Sequence, residues 1–249
     1  MSGLKVNAVT KTFKQKTILQ PITFSVQAGE FVSIVGPSGC GKSTLLNMIA
    51  SIETVDEGTI DYNGDSPKGK VSYMPQQDLL LPWRTALENI TLPLELEHVP
   101  KKQRLAQGMD VLRQFGLAEY ANHYPTALSG GMRQRISFLR AYLCNKPLML
   151  LDEPFGKLDA FTKMEVHRWL LDTWEKGKQT IVMVTHDLDE AILLSDRVII
   201  LSQQPASIIG DVSIQLARPR TIDMLTSAEV KNYKENILSV LEPYMYKHV

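Results

Sequence analysis

Gly36-Pro37-Ser38-Gly39-Cys40-Gly41-Lys42-Ser43-Thr44 follows directly on the run Phe31–Val35, FVSIV, and leads into Leu45, Leu46, Met48 and Ile49. Gly36, Gly41, Lys42 and Ser43 fall in register with the phosphate-loop pattern G-x-x-x-x-G-K-[ST]. The spacing has a chemical reason. A strand delivers the chain to a loop whose glycines let backbone N–H groups turn inward around a polyphosphate, and the next helix aims its positive end there. Lys42 is then placed to reach the β- and γ-phosphates, and the Ser43 hydroxyl to ligate Mg²⁺. Pro37, Ser38, Gly39, Cys40 and Thr44 make up the rest of the cradle. Without its neighbours the stretch is a glycine-rich turn before a helix. The apolar run ahead of it and the helical run behind it favour the phosphate site.

Upstream, Leu4-Lys5-Val6 and residues 22–26, ITFSV, read as strands. Downstream, a helix over 41–52 separates them from a strand over 58–64, closed by the Asn63-Gly64 turn signal, and from Val71–Met74, stopped by Pro75. After Gln76 the texture changes. From Pro82 to Asn145 no strand-like run of β-branched residues appears, while helix signals recur. Residues 101–115 have Gly116 as their stop, and Met132, Ile136, Leu139 and Leu143 share one helical face. Residues 82–145 are therefore expected to form a helical subdomain inserted between two parts of an α/β core, 1–81 and 146–216. That core resumes with residues 148–151, LMLL, apolar on both sides and so a buried parallel strand. Then come a helix from Ala160 capped by Asp159, a strand Thr180–Val184, a helix Leu188–Leu194, and strands over 198–201 and 207–214. The tail, 217–249, carries a helix over 227–241 in which Val230, Ile237 and Leu241 share a face.

At 249 residues the chain can bury a full α/β core. Lys+Arg and Asp+Glu both total 27, and a net charge of zero argues against a nucleic-acid partner held by bulk charge. Cys40 and Cys144 are the only cysteines, which fits a reducing compartment and no disulfide framework. The first residues, MSGLKVNAVT, carry no signal-peptide pattern, and no apolar run approaches the roughly 20 residues that span a bilayer. The chain is expected to be soluble by itself, so work at a membrane would need a partner to hold it there.

Residues 148–153, LMLLDE, end a buried strand in two carboxylates. Adjacent acids in such a place are costly unless something cationic is present. Asp152 suits holding Mg²⁺ through water, and Glu153 suits orienting or deprotonating an attacking water; taken alone, Asp-Glu-Pro also simply starts a turn. Leu128-Ser129-Gly130-Gly131, followed by Met-Arg-Gln-Arg, offers a second backbone anion site at a helix start, or else a plain Ser129 N-cap with loop glycines. A phosphate loop, LSGG before a helix, and LLDE, in that order in one chain, resemble the ATP-binding cassette (ABC) ATPases.

The resemblance runs from about Leu4 to Leu216 and implies the fold class. That class is α/β: a P-loop NTPase (RecA-like) core with an antiparallel β subdomain and an inserted α-helical subdomain. It assigns Gln76 as a sensor of Mg²⁺ and water, Asp159 to the end of the D-loop, His186 as the switch contacting the γ-phosphate, and Phe13 as the aromatic stacked on adenine. Phe13 could equally be a core residue. FGKLD, residues 155–159, departs from the pattern, with Gly156 and Lys157 where many members have small residues. The implied ligands are ATP and Mg²⁺, and the implied activity is ATP hydrolysis. Two copies would face each other head to tail, each offering Ser129, Gly130 and Gly131 to the other's ATP. A separate membrane permease would be driven, served indirectly by a substrate-binding protein, and the chain would sit at the cytoplasmic face of the membrane. QQDLLLPW (76–83), HDLDEAILLSDRVIILS (186–202) and LARPR (216–220) are similar to the nitrate, sulfonate, taurine and pyrimidine-precursor importers. Exporter and non-transport ABC ATPases are the rival readings; a P-loop kinase or GTPase would lack LSGG and His186. The apolar run Leu79-Leu80-Leu81-Pro82-Trp83 is expected either to pack under the helical subdomain or to line a groove for the permease.

Overall fold

Two sheets carry the fold of the computed structural model, which describes residues 3–245. Residues 1–2 and 246–249, the ends of the core segment and of the tail named above, lie outside the described residues. The smaller sheet is antiparallel and made of β1 (Leu4–Phe13), β2 (Lys16–Val26) and β4 (Glu57–Tyr62), in the order β2-β1-β4. The larger has six strands in the order β5-β6-β7-β3-β8-β9. They are β3 (Phe31–Val35), β5 (Val71–Met74), β6 (Leu148–Asp152), β7 (Thr180–Val184), β8 (Arg197–Leu201) and β9 (Ile208–Ser213). All pair in parallel except β9, which runs antiparallel along β8.

Every residue of β3, β6 and β7 is buried, as befits parallel strands covered on both faces. The period of two still sorts them. Leu148 and Leu150 join Val32, Ile34, Val182 and Val184 on one face, against α1 (Lys42–Ile49) and the antiparallel sheet. Met149 and Leu151 join Phe31, Ile181 and Met183 on the other, against α5 (Gly130–Leu143) and α6 (Ala160–Gly177). Each such side chain contributes roughly 1.5–3 kcal/mol by leaving water. Between β5 and β6 the chain forms α2 (Ala86–Ile90), α3 (Leu92–Leu96), α4 (Lys101–Gln114) and α5. Thr85 opens α2 with a capping box, accepting from the Glu88 amide while Glu88 accepts from its own. Finally, α7 (Leu188–Leu194) and α8 (Ala228–Met245) close over β8 and β9 through Ala191, Ile192, Val230, Ile237 and Leu241.

Several elements differ in extent from the sequence expectation. β1 and β2 are longer, because register shifts and a positive φ of 48° at Ala8 break the alternation that would reveal their full length. α1 stops at Ile49, with Ala50 as cap and Ser51 at φ 59°. α8 continues past Leu241 with Pro243 inside it. The Asn63-Gly64 turn forms with both residues at positive φ, the type I′ geometry that hairpin twist favours.

Candidate functional site

Three neighbouring parallel strands, β6, β7 and β3, deliver chemistry to one edge of the sheet. The loop after β3 is tight for a reason that sets its glycines. At Gly36 a Cβ would stand 2.7 Å from the Leu201 carbonyl, and at Gly41, with φ 117°, one would stand 2.8 Å from the Leu19 side chain. Gly41 is also the N-cap of α1, so the helix begins at Lys42 with its free N–H groups toward the loop. Lys42 folds back over that loop, its Nζ donating to the carbonyls of Gly36 (2.8 Å) and Pro37 (2.9 Å). Cys40 is buried, and burial pushes its thiol pKa up, which marks a packing residue rather than a nucleophile.

A cleft of about 320 Å³ opens above the loop, lined by Ser38, Gly39, Gly41, Lys42, Ser43 and Thr44 and closed by Phe13, Gln76 and Glu153. Phe13 reaches it from the end of β1, half-exposed, with the Lys11 ammonium 5.0 Å from its ring centre. Ile18 and Gln204 also line the cleft, and Gln204 Nε2 donates to the Gly39 carbonyl at 2.5 Å. Neither was legible in the sequence, since both depend on where distant strand ends meet. A larger hollow of about 800 Å³ around Trp174 and Lys178 gathers no carboxylate and no phosphate loop.

Asp152 ends β6, buried, and burial pushes its carboxyl pKa up, offset in part by a hydrogen bond from Ser43 and the charge of Lys42. Its Oδ1 has no hydrogen-bond partner. Glu153, the next residue, is held at φ 47°, a left-handed conformation that costs a non-glycine residue roughly 1–3 kcal/mol. Contacts on several sides hold it there. Its amide donates to the Val184 carbonyl at 2.9 Å, and its carbonyl accepts from Gln134 Nε2 at 2.9 Å. Its Oε2 accepts from Gln76 Nε2 at 2.9 Å, and its Oε1 lies 3.6 Å from His186 Nδ1. Gln134 is a further residue the sequence left unmarked. It is buried on α5, and its Oε1 also accepts from the Lys157 amide at 2.7 Å. A polar residue in the helical run after LSGG was the one available signal.

Other named residues stand off the cleft. Ser129 is exposed and caps α5 by accepting from the Met132 amide at 3.2 Å; neither it nor Gly130 nor Gly131 lines the cleft of its own chain. Asp159 caps α6, accepting from the Thr162 amide at 3.1 Å. The run after Gln76 is divided. Leu80 is only 8% exposed and belongs to the core, whereas Leu79 at 58% and Trp83 at 69% face solvent. The run is thus split between the two alternatives, with Leu80 packed inward and Leu79 and Trp83 left on the surface. Asn89 fixes the turn by accepting from the Leu81 amide at 2.8 Å, and Arg140 donates to the carbonyls of Asp78 (2.8 Å) and Leu79 (2.9 Å).

A family model described as ABC transporter matches residues 19–156. The formylaminopyrimidine import ATP-binding protein ThiZ of Halalkalibacterium halodurans is 48% identical over 197 residues, 79% of this chain and 78% of its own. The aliphatic sulfonates import ATP-binding protein SsuB of Bacillus cereus is 38% identical over 98% of this chain and 96% of its own. Among solved structures, the dimeric bacterial ABC transporter cassette MJ0796 superposes with a TM-score of 0.80 at 32% identity, over 86% of this chain and all of its own. The same cassette bound to ADP and Pi, described as a post-hydrolysis state, superposes at 0.79. The chain thus belongs to the ABC transporter family as an ATP-binding and ATP-hydrolysing cassette.

Proposed function

We propose that the chain is the ATPase subunit of an importer, working as a head-to-tail pair of copies on a separate integral membrane permease. The observation that carries the reading is the division of the site. Phosphate loop, Gln76 and Glu153 share one cleft with His186 at its rim, while the helix start at Ser129 is exposed and away from it. A second copy presenting Ser129, Gly130 and Gly131 over the cleft would complete an anion cage with a helix N-terminus. In that cage Lys42 and His186 hold the γ-phosphate, Phe13 stacks on adenine, and Glu153 takes a proton from the attacking water. The Gln76 amide fixes the Glu153 carboxylate for that task.

The donor set beside Lys42 fits Mg²⁺. Asp152 Oδ1 is buried without a partner next to the Ser43 hydroxyl, and a hard cation takes such oxygens. Among the described residues no group of three or more His, Cys, Asp or Glu gathers for a metal, which suits an ion drawing its other ligands from phosphate and water. Asp152 and Ser43, with Gln76, would hold the ion, which supplies charge neutralisation at the phosphates. No described helix is long and apolar enough to cross a membrane. In this reading attachment at the cytoplasmic face runs through the permease, and a substrate-binding protein acts indirectly. The names of the relatives point to small organic cargo of the sulfonate or pyrimidine-precursor kind. Affinity purification of the tagged chain from membranes tests the reading. An integral membrane protein should co-purify, and Glu153→Gln should abolish uptake of its cargo; a chain recovered alone, with uptake unaffected, refutes it.

A further inference from the structure

Phe161 is the most exposed large apolar side chain among the described residues, at 82%, and Met164 one turn on is also exposed. Both lie at the start of α6, just past Asp159. This place adjoins the LSGG helix start, since a Cβ at Gly131 would sit 3.4 Å from the Leu158 side chain and the Lys157 carbonyl. Elsewhere on the chain, an apolar pocket of about 230 Å³ opens beside the phosphate loop, walled by Val35, Pro37, His186, Leu188, Leu238 and Leu241. Aliphatic cavities of roughly 150 Å³ accept a benzene ring, so this one has room for a phenyl group.

We infer that Phe161 of one copy enters this pocket of the other when the pair closes on ATP. The inference rests on the head-to-tail arrangement proposed above. In that arrangement the surface around Ser129 faces the partner's phosphate loop. The knob adjoins the first and the pocket borders the second, so the contact continues the same interface. A two-fold axis makes it occur twice. The aromatic would abut Pro37 and His186, giving the closed pair an apolar anchor at the rim of each site. Phe161 is exposed in the single chain, so it does not fill the pocket of its own copy.

The test uses Glu153→Gln protein carrying Phe161→Cys and Leu238→Cys, treated with a short bismaleimide with and without MgATP. Variants with only one of the two introduced cysteines, Cys40 and Cys144 still present, set the background. A cross-linked dimer well above that background, and only with ATP, is expected. In a second arm, Phe161→Ala should weaken the ATP-dependent dimer about tenfold while Phe161→Leu largely preserves it. Absence of the ATP-dependent cross-link, or equal cross-linking without nucleotide, overturns the inference. The underlying arrangement is read separately, by mixing Lys42→Ala chains with Ser129→Tyr chains. Restored ATPase without the cross-link would remove the Phe161 contact and leave the head-to-tail pair standing.

Discussion

Glu153 sits where its backbone is least comfortable, and its partners show why it stays there. Its amide, carbonyl and both carboxylate oxygens are engaged by β7, α5, Gln76 and His186. On the proposed mechanism, replacing it with Gln keeps the shape and removes the base. ATP hydrolysis should fall by roughly 10²–10⁴, with MgATP binding retained and an ATP-dependent dimer accumulating on gel filtration. Hydrolysis at the parental rate would reassign the base. Gln134 should behave differently, since it positions and does not react. Gln134→Leu leaves the Lys157 amide and the Glu153 carbonyl without their partner, costing about 1–3 kcal/mol of stability. In steady-state kinetics kcat should drop while KM for ATP holds; a change confined to KM would rule out this positioning role. The acids and the phosphate loop were legible because their chemistry demands particular residues at particular spacings. Gln134 was not, because its importance lies in two backbone groups far off in sequence.

Among elements, the junction of α6 and α7 holds a partly buried cluster in which Lys163 Nζ bridges Asp187 (3.1 Å) and Glu190 (2.7 Å). His167 faces Lys163, Asp187 and Glu190, packs on Phe155, and has its pKa pulled down from 6.5 to about 4, mainly by burial. A histidine depressed in the fold stays neutral there, and the unfolded chain takes up the proton first. Its contribution is therefore fully present above about pH 6.5 and is lost as pH falls toward 4. Denaturant titrations of parent and His167→Leu should diverge accordingly, the difference moving in the variant's favour by roughly 2–3 kcal/mol over that window. A pH-independent difference would place the charge change elsewhere. The loop after Gln76 gives a second contrast. Leu79→Asp should leave the isolated chain folded and able to hydrolyse ATP while assembly with the permease and uptake fail. Leu80→Asp should unfold it, because a carboxylate would enter the core. Strands such as Val71–Met74 and Thr180–Val184 could be bounded from residue type alone. Leu79 and Leu80 could not be told apart, since a loop has no period and this one is held by distant side chains, Asn89 on the Leu81 amide and Arg140 on the carbonyls of Asp78 and Leu79.

At the scale of the molecule, the proposed pairing makes each chain the holder of two incomplete halves. If Ser129 serves the partner's cleft, chains with Lys42→Ala and chains with Ser129→Tyr are each inactive as pure dimers. A mixed pair concentrates both lesions in one site and leaves the other whole. ATPase of the mixture should then exceed that of either variant and approach a quarter of the parental rate at equal amounts, if the sites fire independently. Activity that never rises at any ratio would place LSGG and phosphate loop in one chain's site. Pairing is the level at which the single sequence is least explicit. The residues that meet across a two-fold axis carry no mark of each other, and Phe161 and Leu238 look like ordinary exposed side chains until both surfaces are seen.

The grip of Gln134 on the Glu153 carbonyl has a consequence for timing. Glu153 is pinned from β7 on one side and from α5 on the other. Under the proposed function, a permease that rocked α5 would therefore move the group that meets the water. In clockwork the part that releases the train one tooth per swing is itself pushed by the pendulum it drives. Under the proposed function Glu153 would stand in the same relation to the transporter: fuel would be spent when the membrane partner has reached the stroke that needs it, and the geometry would suppress idling.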